Sequence, residues 1–203
     1  MPAESTFAID AVSNAILIFS TVMLVAITAV TIYFVIRYSR KRNPRATDIR
    51  GNTALEIVWF VFPTLIGLAM FYYGLTSFSS ISRDVPGAME VKVEAFQYGW
   101  EYRYANGVKS SSLKVPIDTD VLLIITSRDV IHSFYAPAFR IKMDAVPGMT
   151  TKLRFKPTEK GSYDVLCAEY CGVAHSGMLS AVEVVGKDEF DAWYAQAPQT
   201  AKK

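Results

Sequence analysis

Two long apolar runs near the N-terminus constrain this chain more than any other feature. Residues 12–36 carry no charged side chain, and residues 54–78 carry one acid, Glu56, and one proline, Pro63. An α-helix rises about 1.5 Å per residue, so each run is long enough to cross the roughly 30 Å hydrocarbon core of a bilayer. The runs therefore predict two transmembrane helices. A helix buried in a soluble core is the alternative for either run.

The loop between the two runs is strongly basic and sets the predicted orientation. It holds one acid, Asp48, against six cations: Arg37, Arg40, Lys41, Arg42, Arg45 and Arg50. Short loops rich in Lys and Arg remain cytoplasmic, so both termini are expected on the outer side, the periplasm of a bacterium. The residues before the first run include no Lys or Arg, which argues against a cleaved signal peptide. A nucleic-acid patch would not lie between two membrane spans, so no nucleic-acid partner is expected.

The sequence pattern changes from helical to β after residue 90. Polar and apolar residues alternate over 90–96 and 151–155, and residues 121–126 and 179–185 are strand-length runs rich in β-branched side chains. Asn106-Gly107 is a strong hairpin signal. Many short strands separated by turn residues predict a small all-β sandwich.

The chain is predicted to contain three parts. Residues 1–82 form the anchor, residues 83–186 the exported sandwich, and residues 187–203 a C-terminal helix and a disordered tail. Phe190, Trp193 and Tyr194 form an apolar stripe on that helix. We expect the stripe to pack on the sandwich and not to bind a cofactor.

All the cysteines and histidines of the chain are found in one constellation. Cys167, Cys171, His175 and Met178 lie in a single segment between two predicted strands, and His132 lies 35 residues upstream of Cys167. The segment should form a loop at one end of the sandwich. Together with His132 it supplies two thiolates, two imidazoles and one thioether.

Several kinds of site fit parts of this constellation. A disulfide suits an oxidising compartment, and zinc takes two Cys and two His, but neither uses Met178. Soft sulfur ligands together with imidazole favour copper. A mononuclear blue-copper site needs a single Cys, so the second argues against it. Two bridging thiolates suit a pair of copper ions, each with one His and one weaker ligand. Such a centre carries electrons and has no open position for a substrate.

The motif C-x-E-x-C-x3-H-x2-M, with an upstream Ile-His-Ser, resembles the CuA signature of cytochrome c oxidase subunit II. Residues 55–63 are similar to the second helix of that family, residues 96–102 to its aromatic stretch, and residues 142–148 to the segment between the first His and the Cys loop. Together these cover nearly the whole chain. The resemblance implies a two-helix transmembrane hairpin followed by a cupredoxin-like Greek-key sandwich.

The resemblance also implies roles for individual residues. The carboxylate of Glu169 would bind a magnesium or manganese ion shared with subunit I, and Glu56 would lie near the mouth of a proton channel in subunit I. Without the resemblance, Glu56 is only an acid near a membrane interface. The implied ligands of the dinuclear copper centre are His132, Cys167, Cys171, His175, Met178 and the backbone carbonyl of Glu169.

The aromatic stretch departs from the family pattern at the position of electron entry. The family usually has a tryptophan where this chain has Tyr98, and another aromatic residue where it has Gly99, whereas Trp100 is retained. Tyr98 and Trp100 are therefore expected to serve electron entry. Ordinary packing in the sandwich is the alternative role for both residues.

The function implied by the resemblance is electron entry into a proton-translocating oxidase of a bacterial inner membrane. The chain would take electrons from cytochrome c and pass them to a heme of subunit I, which also holds CuB and reduces oxygen to water; subunit III would be a further partner. A CuA subunit of a nitric oxide reductase is the main alternative. A copper-free quinol oxidase subunit should lack the ligands, and a copper chaperone would not need the pattern from Glu56 to Pro63.

Overall fold

The computed structural model describes residues 3–45, 48, 51–81 and 86–195. Three predictions fall outside these residues: the loop cation Arg50, the boundary between residues 82 and 83, and the disordered tail beyond residue 195. The chain comprises two compact units. One spans residues 11–83, and the other spans residues 84–203 together with residues 1–10.

Two long helices form the N-terminal part of the chain. Helix α1 spans Glu4–Arg37 and helix α2 spans Thr53–Ile81, so both extend beyond the predicted spans of 12–36 and 54–78. Within them, residues 9–37 and 53–76 are long and apolar enough to cross a membrane. In the most apolar 18-residue stretch of each, no residue is buried by the rest of the described chain. Helices that are hydrophobic all round need lipid or partner helices to cover them. A helix in the core of a soluble protein would be mostly buried, and neither of these stretches is.

The start of α2 is fixed by local hydrogen bonds. The side chain of Asn52 accepts hydrogen bonds from two backbone N–H groups of the first turn, at 3.0 and 3.2 Å, as an N-cap does. Glu56 lies in that turn, where the helix dipole favours an acid. The helix continues through Pro63, and the Thr64 hydroxyl next to it donates to the carbonyl of Phe60 at 2.7 Å.

The second unit contains ten strands in two five-stranded sheets. One sheet has the order β3-β2-β1-β5-β8 and the other the order β4-β10-β9-β6-β7. The strands are β1 Met89–Phe96, β2 Gly99–Tyr104, β3 Lys109–Ser110, β4 Leu113–Pro116, β5 Val121–Ser127, β6 His132–Ala136, β7 Ile141–Ala145, β8 Thr151–Phe155, β9 Gly161–Cys167 and β10 Leu179–Val185. The four strands predicted from the sequence are among them, and the predicted fold of two helices followed by a β-sandwich is confirmed.

The core lies between the two sheets and follows the alternation of the strands. In β5, every second residue from Val121 to Ser127 is buried and the residues between are half-buried. The sequence of this strand is apolar almost throughout, yet its two faces differ, because only one faces the other sheet. The largest fully buried side chains are Tyr102, Phe134, Phe139, Leu113, Leu123, Ile125, Met178 and His132.

The predicted hairpin at Asn106-Gly107 joins β2 to β3. Gly107 has a φ of +87°, which glycine adopts without steric cost. The Asn106 side chain accepts a hydrogen bond from the N–H of Val108 at 3.1 Å and donates one to the carbonyl of Tyr194 at 2.7 Å. The turn thus connects the sheet to the C-terminal helix.

Helix α3 spans Lys187–Ala195 and covers one edge of the core. The rings of Phe190, Trp193 and Tyr194 surround the ring of Tyr104, with centroid distances of 6.5, 5.1 and 6.2 Å. Phe190 is buried. The apolar stripe therefore packs on the sandwich, as predicted.

We expect Phe190→Ala to lower the free energy of unfolding of the sandwich by about 3–5 kcal/mol, because it leaves a cavity against Tyr104. Chemical denaturation followed by tryptophan fluorescence measures this change. The matched control is Asp191→Ala on the exposed face of the same helix, where Asp191 forms a surface ion pair with Lys187 at 3.1 Å. It should change stability by less than about 0.5 kcal/mol. Equal effects of the two variants would contradict a structural role of α3.

Candidate metal centre

The pairing of the strands gathers four loops at one end of the sandwich. The parallel pairing of β1 with β5 sets Ala95 beside Ser127, so the loops that follow these strands lie together. In the other sheet, Phe134 of β6 pairs with Cys167 at the end of β9. We call this end, formed by residues 97–98, 128–131, 146–150 and 168–178, the metal end.

Two sulfur atoms form the middle of a cluster of metal-binding groups. The Sγ atoms of Cys167 and Cys171 are 3.8 Å apart. His132 places its Nδ1 3.9 Å from the sulfur of Cys167, and His175 places its Nδ1 3.5 Å from the sulfur of Cys171. Each sulfur thus has its own imidazole, although His132 begins β6 and His175 lies in the loop after β9.

Each sulfur also has one weaker donor beside it. The carbonyl oxygen of Glu169 lies 3.3 Å from the Cys167 sulfur, and the thioether sulfur of Met178 lies 3.8 Å from the Cys171 sulfur. Met178 is fully buried at the end of the short helical turn His175–Gly177. The structure therefore brings together all six groups predicted as copper ligands.

The donor set is consistent with copper and fits the alternatives less well. A disulfide has its sulfurs about 2.05 Å apart, whereas these cysteines are free at 3.8 Å. Because a metal–thiolate bond is about 2.3 Å long, metal ions can contact both sulfurs at this separation. One tetrahedral zinc would be satisfied by two thiolates and two imidazoles, leaving the Met178 thioether and the Glu169 carbonyl without use. Copper accepts soft thioether ligands.

Burial affects the Cys171 thiol strongly. Cys167, Cys171 and His132 are buried, and His175 is half-buried. Burial, together with the neighbouring Cys167, raises the pKa of the Cys171 thiol to about 11. The Cys171 sulfur therefore carries a proton at neutral pH in the metal-free protein, and a metal must displace it.

Asp129 orients His132. Its carboxylate Oδ1 lies 2.8 Å from His132 Nε2, so that nitrogen donates a proton and Nδ1 keeps its lone pair toward the sulfurs. Burial would raise the pKa of Asp129, but hydrogen bonds from His132 and from the backbone N–H groups of Gln97 and Val130 outweigh it and hold the pKa below its ordinary value. The carboxylate is therefore ionised beside the imidazole.

Gln97 joins the loops that carry the ligands. Its backbone N–H donates to Asp129 Oδ2 at 2.7 Å, and its side-chain amide donates to the carbonyl of Cys171 at 2.6 Å. Sequence reasoning missed both Asp129 and Gln97. Asp129 precedes His132 by three residues and could have been noticed, whereas Gln97 is 74 residues from Cys171 and gave no signal.

The two aromatic residues predicted for electron entry occupy different surroundings. Tyr98 is partly exposed, and its hydroxyl would lie 2.5 Å from a Cβ added to Gly172, the residue after Cys171. Trp100 is buried and packs edge-on against the rings of His132 and Phe134, with centroid distances of 6.3 and 5.7 Å. Its indole nitrogen has no hydrogen-bond partner among the described residues.

The two predicted acids lie in separate units. Glu169 is exposed at the metal end, and only its backbone carbonyl faces the cluster. Glu56 is exposed in the first turn of α2. Neither carboxylate contacts the six donor groups in the described part of the chain.

Comparisons with known proteins match both parts of the chain. The family model of the transmembrane domain of cytochrome c oxidase subunit II matches residues 3–79, and that of its periplasmic domain matches residues 108–185. The protein from Rickettsia conorii named "Probable cytochrome c oxidase subunit 2" is 30% identical over 93% of this chain and 67% of its own length. Cytochrome c oxidase subunit 2 of Thermostichus vulcanus is 29% identical over 96% of this chain and 76% of its own length.

A solved structure matches the sandwich. It is the periplasmic domain of subunit II of the cytochrome oxidase of Bradyrhizobium japonicum, at 30% identity and a TM-score of 0.53. The match covers 56% of this chain and 96% of that domain. The sandwich is therefore similar to a cupredoxin-like subunit II domain.

We expect Asp129→Ala to weaken copper binding by about 10- to 100-fold, because the His132 ring loses the carboxylate that fixes its orientation and tautomer. Asp129→Asn keeps a hydrogen-bond acceptor without the charge, so its copper affinity should lie between those of Asp129→Ala and the natural protein. Competition with a chromophoric copper(I) chelator measures the affinities. Unchanged affinity in Asp129→Ala would show that Asp129 does not support the ligand.

Copper binding should release the proton of Cys171 below pH 11. The apparent affinity is therefore expected to rise by about tenfold per pH unit for this one proton as the pH increases through the neutral range. The chelator competition, repeated at several pH values, gives the slope, and calorimetry in buffers of different ionisation enthalpy counts the protons. A pH-independent affinity would mean that the thiol is already ionised in the metal-free protein.

Proposed function

The chain belongs to the cytochrome c oxidase subunit II family, and we propose that it is the electron-entry subunit of a bacterial oxidase with two copper ions at its metal end. As a member of this family it is part of an oxidoreductase complex, and the comparisons favour the oxidase over a nitric oxide reductase. The chain is a membrane protein with a periplasmic domain. The bacterial inner membrane as its location, with both termini in the periplasm, follows from the basic loop and belongs to the proposal.

The paired arrangement of donors around two sulfurs carries this proposal. The ligands would be His132, Cys167, Cys171, His175, Met178 and the Glu169 carbonyl, since each cysteine sulfur has one imidazole and one weaker donor within 3.9 Å. When bound, the copper pair supplies one-electron redox chemistry with the electron shared between two ions. The chain's own contribution is rigidity: buried ligands tied to Asp129 and Gln97 resist rearrangement when the charge changes.

Tyr98 and Trp100 provide two kinds of contact with the site. Tyr98 is the residue proposed for electron entry, because it reaches the surface and packs on the backbone of Gly172. Trp100 is proposed to support the same route from inside, since its ring lies against that of His132. The electrons would come from a cytochrome c and pass to a heme of subunit I.

Glu169 is proposed to face subunit I. Its carbonyl lies toward the Cys167 sulfur while its carboxylate is exposed, so one residue can serve the copper site and a second metal at the same time. The second metal would be magnesium or manganese shared with subunit I. Glu56 is proposed to lie at the mouth of a proton channel of subunit I, because it follows the basic cytoplasmic loop at the start of α2. Subunit III belongs to the proposed complex by family resemblance alone.

The test is copper content and electron paramagnetic resonance of the exported domain. We expect two coppers per chain and a seven-line hyperfine pattern from an unpaired electron shared by two equivalent nuclei. Cys171→Ser should abolish the pattern, because one of the two thiolates that would hold the copper ions is lost. Ser176→Ala, in the same loop and exposed, is the matched control and should retain it. A single copper with a four-line spectrum, or zinc, would overturn the proposed function.

A further inference from the structure

The exposed apolar side chains of the sandwich are confined to the metal end. Among the described residues 86–195, every large hydrophobic residue with an exposed side chain lies in one of the four loops or at the strand end next to Met178. They are Tyr98, Val130, Ile131, Met149, Tyr170, Val173 and Leu179. Exposed apolar clusters of this kind mark interaction sites on soluble domains.

The metal end carries little unpaired charge. Its four loops contain three ionised side chains, Arg128, Asp129 and Glu169. Arg128 is paired with Glu94 at 2.6 Å. The Asp129 carboxylate accepts hydrogen bonds from His132 and from the backbone N–H groups of Gln97 and Val130, and the exposed Glu169 adjoins Tyr170. A partner that approaches Tyr98 and Val173 therefore meets apolar surface beside a single, hydrogen-bonded carboxylate.

Hydrogen bonds of Gln97 bring one part of this surface together. Gln97 contacts Asp129 and Cys171, and the Tyr98 ring lies against Gly172, the residue after Cys171. Val130 follows Asp129 and Val173 follows Gly172, so both belong to the loop segments beside Tyr98. Val173 is 95% exposed, the highest value among them. We call Tyr98, Val130 and Val173 the apolar patch. Tyr170 is outside it, because it adjoins Glu169, whose carboxylate is proposed to face subunit I.

We propose that the apolar patch docks the electron donor, and that this donor is a cytochrome c whose contact face around the heme edge is apolar and nearly neutral. The inference rests on the proposed electron-entry function and adds the chemistry of the donor. A lysine-rich donor face needs a cluster of exposed acids. Of the two acids in the four loops, only Asp129 adjoins the patch, and its carboxylate already accepts three hydrogen bonds. Docking by burial of apolar surface is weakly sensitive to salt, whereas charge-steered association slows steeply as salt screens it.

The experiment uses the intact oxidase complex in detergent and two reduced probe proteins: a strongly basic cytochrome c and a near-neutral cytochrome c. We measure kcat/KM for each between about 10 and about 200 mM salt. For the near-neutral cytochrome, kcat/KM should be the higher of the two and should change by less than about twofold. Turnover driven by tetramethyl-p-phenylenediamine, a small uncharged reductant, is measured in parallel as the reference rate.

Val173→Glu adds an unpaired acid to the patch at a fully accessible position. It should lower the ratio of near-neutral cytochrome turnover to reference turnover by about tenfold, since a charge must then be buried at the contact. It should also give the basic cytochrome a faster, salt-sensitive reaction. Ala105→Glu adds the same charge at an exposed position in the β2–β3 turn, away from the metal end, and is the matched control.

Three results would overturn the inference. The first is a steep loss of turnover with salt and a preference for the basic cytochrome in the natural protein. The second is the same behaviour of Val173→Glu and Ala105→Glu. The third is loss of subunit I from the purified Val173→Glu complex, which would place the patch against subunit I. Each leaves the proposed function intact if the seven-line copper spectrum persists, whereas failure of that function appears as absence of the spectrum.

Discussion

The metal centre depends on the antiparallel pairing of β6 with β9. This pairing sets Phe134 opposite Cys167 and so brings His132, which begins β6, to the cysteine at the end of β9. His132 and Cys167 are 35 residues apart in the chain, and no local interaction could hold them together. Once the two strands are aligned, the remaining proposed ligands follow within one short loop after Cys167. The sandwich therefore acts as the frame that fixes the distance between the sulfurs and the first imidazole.

The sequence allowed the short-range features to be predicted, because they depend on neighbouring residues. The membrane spans, the hairpin at Asn106-Gly107, the strands at 151–155 and 179–185 and the stripe on α3 all follow from local patterns. The parallel pairs β1–β5 and β4–β10 could not be predicted, because the registers depend on distant partners. The ligand types were visible, but Gln97 was not, since a glutamine near a turn has no distinctive spacing. The metals and partner subunits implied by the resemblance remain proposals.

The departure from the family pattern at Gly99 has a local compensation. A Cβ on Gly99 would lie 2.9 Å from the ring of Phe96, so this ring occupies the space beside the missing side chain. Arg128 lies over the same ring, 5.0 Å from its centroid, and is held there by Glu94. The turn before Trp100 is therefore covered by a residue of β1 and a residue of the loop after β5.

Gly172 links the surface of the domain to its interior. Its φ of +133° suits glycine alone, and any added Cβ would collide with the Tyr98 hydroxyl and approach the Gln97 amide to 3.0 Å. The position is thus restricted twice, by backbone conformation and by contact. During evolution, the residue at position 98 can change in size only if the space beside the backbone of residue 172 changes with it. Divergence of the donor-facing surface is therefore tied to the loop that carries Cys171, and the two should vary together among related chains.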